Sequence, residues 1–206
     1  MSQDQRQVFI VDDDASVRKS LERLLRISGY AVRTLASAEE FFATDHSDAI
    51  ACVVLDLAMT GQSGLEVQKW IAAQNLRYGI VFLTGHGDLA TGVHAIKDGA
   101  DDFLTKPVDE AYLLSAVDKA LARQGVNYAH QTRVADAQSR FTTLTSRERQ
   151  VMEYVVIGRL NKQISAELNV SEKTVKAHRA QVMRKTGAGS LAELVRLYLL
   201  AQPPAE

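Results

Sequence analysis

Val8-Phe9-Ile10-Val11-Asp12-Asp13 is a run of four apolar residues closed by two carboxylates. Three other stretches share the pattern: Cys52-Val53-Val54-Leu55 ends at Asp56, Ile80-Val81-Phe82-Leu83 at Thr84, and Phe103-Leu104-Thr105 at Lys106, just before Pro107. Short, nearly continuous apolar runs bounded by polar residues read as strands buried on both faces, as in parallel sheets covered by helices. Parallel strands share one C-terminal edge, and open α/β sheets place their ligand sites there. Three acidic groups on that edge repel one another and raise at least one pKa unless a cation sits among them. The simplest such cation is Mg²⁺, a hard ion suited to carboxylates, backbone carbonyls and water. Asp also ends strands because it starts turns. That accounts for one or two of the carboxylates, but not for a lysine and a threonine joining them.

Helical signals fill the spaces between these runs. Val17, Leu21, Leu24 and Leu25 recur at helical spacing and Gly29 stops that helix. A further strand, Ala31 to Leu35, leads into Ser37-Ala38-Glu39-Glu40, a capping box opening the next helix. After Asp56 come a loop through Gly61 and Gly64 and a helix carrying Val67, Trp70 and Ile71. A helix from about Asp88 to Asp98 is stopped by Gly99, and Asp109 caps a last one with Leu113, Ala116, Val117, Ala120 and Leu121 on one face. Five strand-helix units with right-handed crossovers make an α/β fold, a five-stranded doubly wound parallel sheet.

The net charge of −1 over 206 residues conceals two unlike parts. Residues 1–125 carry 12 Lys+Arg against 18 Asp+Glu, and residues 126–206 carry 12 against 7. A basic part of net +5 suggests a negatively charged partner, most often nucleic acid, although a solvated basic face explains the charge alone equally well. The single cysteine, Cys52, falls inside an apolar run and excludes an internal disulfide, in keeping with a reducing cytoplasm. Five scattered histidines with one cysteine supply no zinc spacing. The polar start Met1-Ser2-Gln3-Asp4-Gln5-Arg6 has no signal-peptide core, and no apolar run approaches a membrane span. The chain reads as soluble and cytoplasmic.

Residues 124–143 are polar, free of proline and weakly patterned, with Tyr128, Val134 and Phe141 as the few large apolar residues, and read as a partly helical linker. Beyond it the pattern is wholly helical. Thr145 with Glu148 forms a capping box, and the helix through Val151, Met152, Val155 and Val156 ends at Gly158. Asn161 is placed to cap a short helix carrying Ile164, Ala166 and Leu168. A turn at Asn169-Val170 leads to Ser171, the cap of a long helix stopped by Gly187, and a fourth helix runs from about Ser190 to Leu200. Two helices joined by a three- or four-residue turn form a helix-turn-helix. On the second of them Lys173, Lys176, Ala177, Ala180 and Arg184 share one face, while Val175, Val182 and Met183 lie off it. Lysines at the N-terminal end with small residues between them fit a DNA major groove. An ordinary solvated helix in a small bundle is the plainer alternative.

With these residues in place, 8–123 resemble the receiver domain of two-component response regulators, and 144–200 resemble the LuxR-type DNA-binding domain, in the order of the FixJ and NarL group. The motifs carrying the resemblance are Val11-Asp12-Asp13 with Arg18, Asp56 with Met59 and Gly64, Thr84-Gly85, Lys106-Pro107, Leu144-Thr145-Ser146-Arg147-Glu148, and Ser171-Glu172-Lys173-Thr174-Val175-Lys176-Ala177-His178. The resemblance implies a receiver over 1–123, a linker over 124–143 and a DNA-binding domain over 144–206. It implies that Asp56 accepts a phosphoryl group from a sensor histidine kinase, with Mg²⁺ held by Asp12, Asp13, Asp56 and the carbonyl of Ala58. Lys106 would pair with the phosphoryl oxygens and Thr84 would donate its hydroxyl. Thr84 and Phe103 would form the switch, although Phe103 is equally an ordinary core aromatic. The phosphorylated form would pair as a homodimer and bind double-stranded DNA through Lys162, Lys173, Thr174, Lys176, Ala177, His178, Ala180 and Arg184. The FixJ-like pattern implies activation of transcription, with RNA polymerase as a further partner.

Two positions depart from the family pattern. Thr60 stands where proline usually follows the methionine matching Met59, which predicts a less rigid loop. Ser146 stands where proline often opens the second domain, and serine suits a first helical turn. Neither is expected to touch a phosphorylation residue. Two rivals share part of the pattern. A Mg²⁺-dependent phosphohydrolase resembling haloacid dehalogenases would need a second Asp two residues after the nucleophile, and that position is Ala58. Without a base there, an acyl phosphate should turn over slowly, as a stored signal and not an enzymatic cycle. A receiver with a protein-interaction output is the other, and the lysine-rich strip argues against it.

Overall fold

Apolar alternation along the strands fixes which side of the sheet each residue faces. The computed structural model describes residues 6–46, 50–85 and 89–202. Strands β1 (Gln7–Val11), β2 (Ala31–Leu35), β3 (Ala51–Asp56), β4 (Tyr78–Thr84) and β5 (Asp102–Thr105) form one parallel sheet in the order β2-β1-β3-β4-β5. Helices α1 (Ala15–Ile27), α2 (Ala38–Ala43), α3 (Gly64–Ala73), α4 (Leu89–Lys97) and α5 (Glu110–Thr142) alternate with them. Val8, Ile10, Cys52, Val54, Val81 and Leu83 pack with Leu21 and Leu25 of α1 and with Leu113, Val117 and Ala120 of α5. The intervening Phe9, Val11, Val53, Leu55, Ile80 and Phe82 pack with Phe41, Val67, Ile71 and Ala95 of the helices on the other face. This is the period-two geometry of a strand covered on both sides. Each such side chain contributes about 1.5–3 kcal/mol by leaving water.

Register brings the polar strand ends together. Val11 lies beside Leu35 and Leu55, Asp56 beside Leu83, and Thr84 beside Thr105, so Asp12, Asp13, Asp56, Thr84 and Lys106 all reach one edge. The expected helix start at Asp88, with His86 before it, and the polar residues 1–5 lie outside the described residues. No helix among the described residues is long and apolar enough to cross a membrane.

The stretch read as a linker, 124–143, is helical almost to its end, because α5 continues unbroken to Thr142. It holds no proline, Asp136 and Arg140 form an i,i+4 ion pair at 2.8 Å, and Ala137 and Phe141 are buried. Two compact units divide within this helix, after Tyr128. In the first, the Arg77 guanidinium lies 4.3 Å from the centre of the Tyr128 ring, a cation–π contact that ties the helix to the start of β4.

The second unit packs α6 (Ser146–Val156), α7 (Asn161–Glu167), α8 (Glu172–Thr186) and α9 (Leu191–Ala201) around Val151, Met152, Ile164, Val175, Val182 and Leu194. Asn161 is not the cap of α7. Leu160 occupies that place, its N–H donating to Gln163 at 2.9 Å, while the Asn161 carboxamide oxygen accepts from Arg179 of α8 at 2.9 Å. Asn169 takes φ 50° in the four-residue turn between α7 and α8, and Arg147 donates to the Leu168 carbonyl at 2.6 Å, bracing it. Ser171 caps α8 through the Thr174 N–H at 3.1 Å, and Gly187 ends it at φ 71°, a conformation that favours glycine.

Glu148 closes the capping box of α6 and also pairs with Lys185 of α8 at 2.7 Å. The Lys185 hydrogen bond, with the Thr145 N–H, lowers its pKa from the ordinary 4.5 to about 2. A carboxylate with a depressed folded pKa stabilises the fold above its unfolded pKa, and that contribution disappears as pH falls from about 4.5 through about 2. Acid unfolding followed through the amide signals of α6 and α8 should therefore show Glu148→Gln less stable than wild type at neutral pH. The difference should shrink across that acid window, whereas a constant difference would assign Glu148 a pH-independent packing role.

Candidate functional site

Lys106 is the centre of the strand-end cluster. Its Nζ donates to Asp12 Oδ2 at 2.6 Å and to Asp56 Oδ2 at 3.0 Å, reaching from the end of β5 across β4 to β3 and β1. Partial burial works against its charge, but the hydrogen bonds to Asp12 and Asp56 and their negative charges outweigh it, so its pKa lies above the usual lysine value. The backbone is locked as well, the Lys106 N–H donating to the Thr84 carbonyl at 2.8 Å. Thr84 is fully buried at the end of β4.

Asp12 and Asp56 are buried and Asp13 is exposed. Asp12 uses both oxygens, Oδ1 accepting the Asp14 N–H at 2.9 Å and Oδ2 accepting from Lys106. Asp56 Oδ1 accepts the Ala58 N–H at 3.4 Å. Asp13 Oδ2 accepts both the N–H of Thr60 at 2.9 Å and its hydroxyl at 2.8 Å, and these two bonds hold its pKa below the usual aspartate value. Thr60 thus contacts Asp13 of the acidic cluster. The loop there is tied to the site through the hydroxyl and N–H that a proline lacks.

One carboxylate oxygen from each of Asp12, Asp13 and Asp56 lies within 4.8 Å of the others, a spacing that could hold one metal ion. Receiver domains in general bind Mg²⁺ in such an acidic pocket. The loop that follows Asp56 passes very close to it. A Cβ at Gly64 would stand 2.4 Å from the Asp56 carbonyl oxygen, so only glycine allows α3 to start there. Ser63 caps α3, with Glu66 Oε2 accepting the Ser63 N–H at 2.8 Å.

Two further residues shape the edge. Asp14 caps α1, accepting the Ser16 N–H at 2.7 Å, and Arg18 donates to the Asp12 carbonyl at 2.6 Å. The Asp14-Ala15-Ser16 sequence carries the signal of this helix cap. Phe103 is half-buried beside Phe82, ring centres 6.2 Å apart, and its ring lies against Gly92 of α4, where a Cβ would stand 3.1 Å away.

On α8 of the second unit, Lys173, Lys176, Ala177, Ala180 and Arg184 are all exposed, while Val175 and Val182 are buried. His178 is half-exposed, and Lys162 is exposed on α7. The Thr174 hydroxyl shares a 2.8 Å hydrogen bond with Ser171, so this side chain is engaged in the cap of α8. Arg184 bonds Gln181 on its own helix at 3.1 Å.

Residues 8–118 match the response regulator receiver domain, and residues 142–198 match the luxR family of bacterial regulatory proteins. The chain is 44% identical over 190 residues to nodulation protein W of Bradyrhizobium diazoefficiens, covering 92% of this chain and 84% of that protein. It is also 44% identical over 198 residues to the transcriptional regulatory protein FixJ of Azorhizobium caulinodans, covering 94% and 92%. Among solved structures, response regulator StyR superposes with a TM-score of 0.87 at 40% identity, over 95% of this chain and 98% of that one. Full-length FixJ from B. japonicum gives a TM-score of 0.60 at 37% identity, over 96% and 97%.

Proposed function

As this chain belongs to the two-component response regulators that join a receiver domain to a LuxR-type DNA-binding domain, regulators of transcription, we propose that Asp56 is its phosphoacceptor and α8 its DNA-reading helix. The observation that carries the reading is the Lys106 ammonium bridging Asp12 and Asp56 at the sheet edge. The partners are a sensor histidine kinase and double-stranded DNA.

In this reading Asp56 attacks phosphorus as an O–P bond forms and the P–N bond to the kinase histidine breaks, the imidazole leaving with its electron pair. Asp12, Asp13, Asp56 and the carbonyl of Ala58 would hold Mg²⁺, which would supply positive charge to offset that of the nucleophile and the phosphoryl group. Lys106 passes from the Asp56 carboxylate to a phosphoryl oxygen, and Thr84 donates its hydroxyl to another. The drawn-in Thr84 leaves space that Phe103 follows into, and the face of α4, β5 and α5 changes. The phosphorylated chain then pairs as a homodimer, and α8 enters the major groove with Lys173, Lys176, Ala177, His178, Ala180 and Arg184. Thr174 supports this helix from its cap, and Lys162 lies on the preceding helix. The functional division is a receiver over 1–123 and a DNA-binding domain over 144–206, joined by the helical stretch 124–143. Activation, with RNA polymerase as a further partner, follows the FixJ-like pattern, and kinase and chromosome place the work in the cytoplasm.

The protein stores a phosphoryl group and does not turn one over, because Ala58 offers no base to water. Protein phosphorylated with a small donor in Mg²⁺ and then freed of donor should keep its hydroxylamine-sensitive phosphate for minutes or longer, shift in mass to a dimer and bind its DNA more tightly. Loss of label within seconds at neutral pH would favour the hydrolase, and a label without change in mass or DNA binding would sink the switch.

A further inference from the structure

We propose that Thr60 is a positioning residue for Asp13, holding its carboxylate ready for the divalent cation. The inference rests on the reading that Asp13 is a Mg²⁺ ligand. Of the three clustered carboxylates, Asp12 and Asp56 are buried and fixed by Lys106, whereas Asp13 is exposed. An exposed aspartate turns freely, and ordering it on binding costs affinity. Thr60 removes that freedom. Its N–H and its hydroxyl both donate to Asp13 Oδ2, at 2.9 and 2.8 Å, so that oxygen is anchored and the carboxylate is held in one orientation. Anchored in this way, Asp13 has an oxygen within 4.8 Å of those of Asp12 and Asp56. Partners behind a metal ligand commonly matter about 10–100-fold in metal affinity.

The two donors can be removed in turn. Thr60→Ser keeps both, Thr60→Ala keeps only the N–H, and Thr60→Pro has neither. Thr60 is exposed in a loop, so the fold should tolerate all three. Unphosphorylated full-length protein would be titrated calorimetrically with MgCl₂ at constant ionic strength. In parallel, the rate of labelling by acetyl phosphate would be followed against Mg²⁺ concentration.

Thr60→Ser should bind like wild type, Thr60→Ala more weakly, and Thr60→Pro weaker by about tenfold. The Mg²⁺ concentration for half-maximal labelling should rise in the same order, with the rate at saturating Mg²⁺ nearly unchanged. Equal affinities across the four proteins would overturn the proposal. So would tighter binding by the Ala or Pro variant, which would make Thr60 a competitor of the cation, and so would a lower saturating rate at unchanged affinity, which would make it a loop stabiliser only. A wild type that binds no Mg²⁺ would remove the metal reading and this one together, whereas flat variants beside a wild type that binds remove this one alone.

Discussion

Asp56→Ala is expected to reduce labelling by a small phosphoryl donor in Mg²⁺ to background, a fall of more than about two orders of magnitude. In this reading the two neighbouring carboxylates hold the cation and do not replace the nucleophile. Asp12 already accepts on both oxygens, from the Asp14 N–H and from Lys106, and Asp13 is anchored by Thr60. Asp56 ends β3, with one oxygen on the Lys106 ammonium and the other on the Ala58 N–H. The variant should also lose the phosphate-dependent shift to dimer while keeping its sheet, because the residue lies at a strand end and Lys106 retains Asp12 as a partner. Acid-labile, hydroxylamine-sensitive phosphate followed together with mass in solution makes the check. Label on the variant at the wild-type level would move the acceptor to Asp12 or Asp13. Failure to label the wild type, under conditions that label another receiver, would leave the cluster metal-binding or structural.

The residues of this site were legible in the sequence because each ends a buried strand, where an apolar run meets a polar residue. Five parallel strands then need only their shared edge to bring Asp12, Asp13, Asp56, Thr84 and Lys106 together. The helix-turn-helix was legible for a similar reason, since Ser171 and Gly187 mark both ends of α8. What escaped the reading depends on contacts between distant residues or on the lack of a buried face. The bond from Thr60 to Asp13 is set by the path of a loop, which no periodicity reports. Helix α5 between 124 and 136 leaves most side chains exposed, so no apolar stripe announces it. Its continuity comes instead from the lack of proline and from Ala137 and Phe141 further on. At α7, Asn161 carries the chemistry of a cap, but its oxygen goes to Arg179, a tertiary partner 18 residues away.

Lys176→Ala should weaken binding to the specific operator by about 1–3 kcal/mol, roughly 5- to 150-fold, with a smaller effect on unrelated DNA. Three cations of α8 are engaged within the protein. Arg179 is committed to Asn161 and Lys185 to Glu148, so both serve the packing of the unit. Arg184 is bonded to Gln181 near the C-terminal end of the helix. Lys173 and Lys176 remain exposed in its N-terminal half, the part of a recognition helix that meets base edges. Ala177 and Ala180 beside them are small enough to let the helix backbone approach the groove. Binding measured between about 50 and 200 mM salt separates the two roles a lysine can take, since removing a cation that neutralises one phosphate lowers the salt slope by about 1. An equal drop in affinity on every DNA sequence, with a shallower slope, would assign Lys176 to phosphate. Unchanged affinity, together with binding insensitive to salt, would leave α8 as a protein-interaction surface, because a helix that meets DNA through lysine must release counterions in doing so.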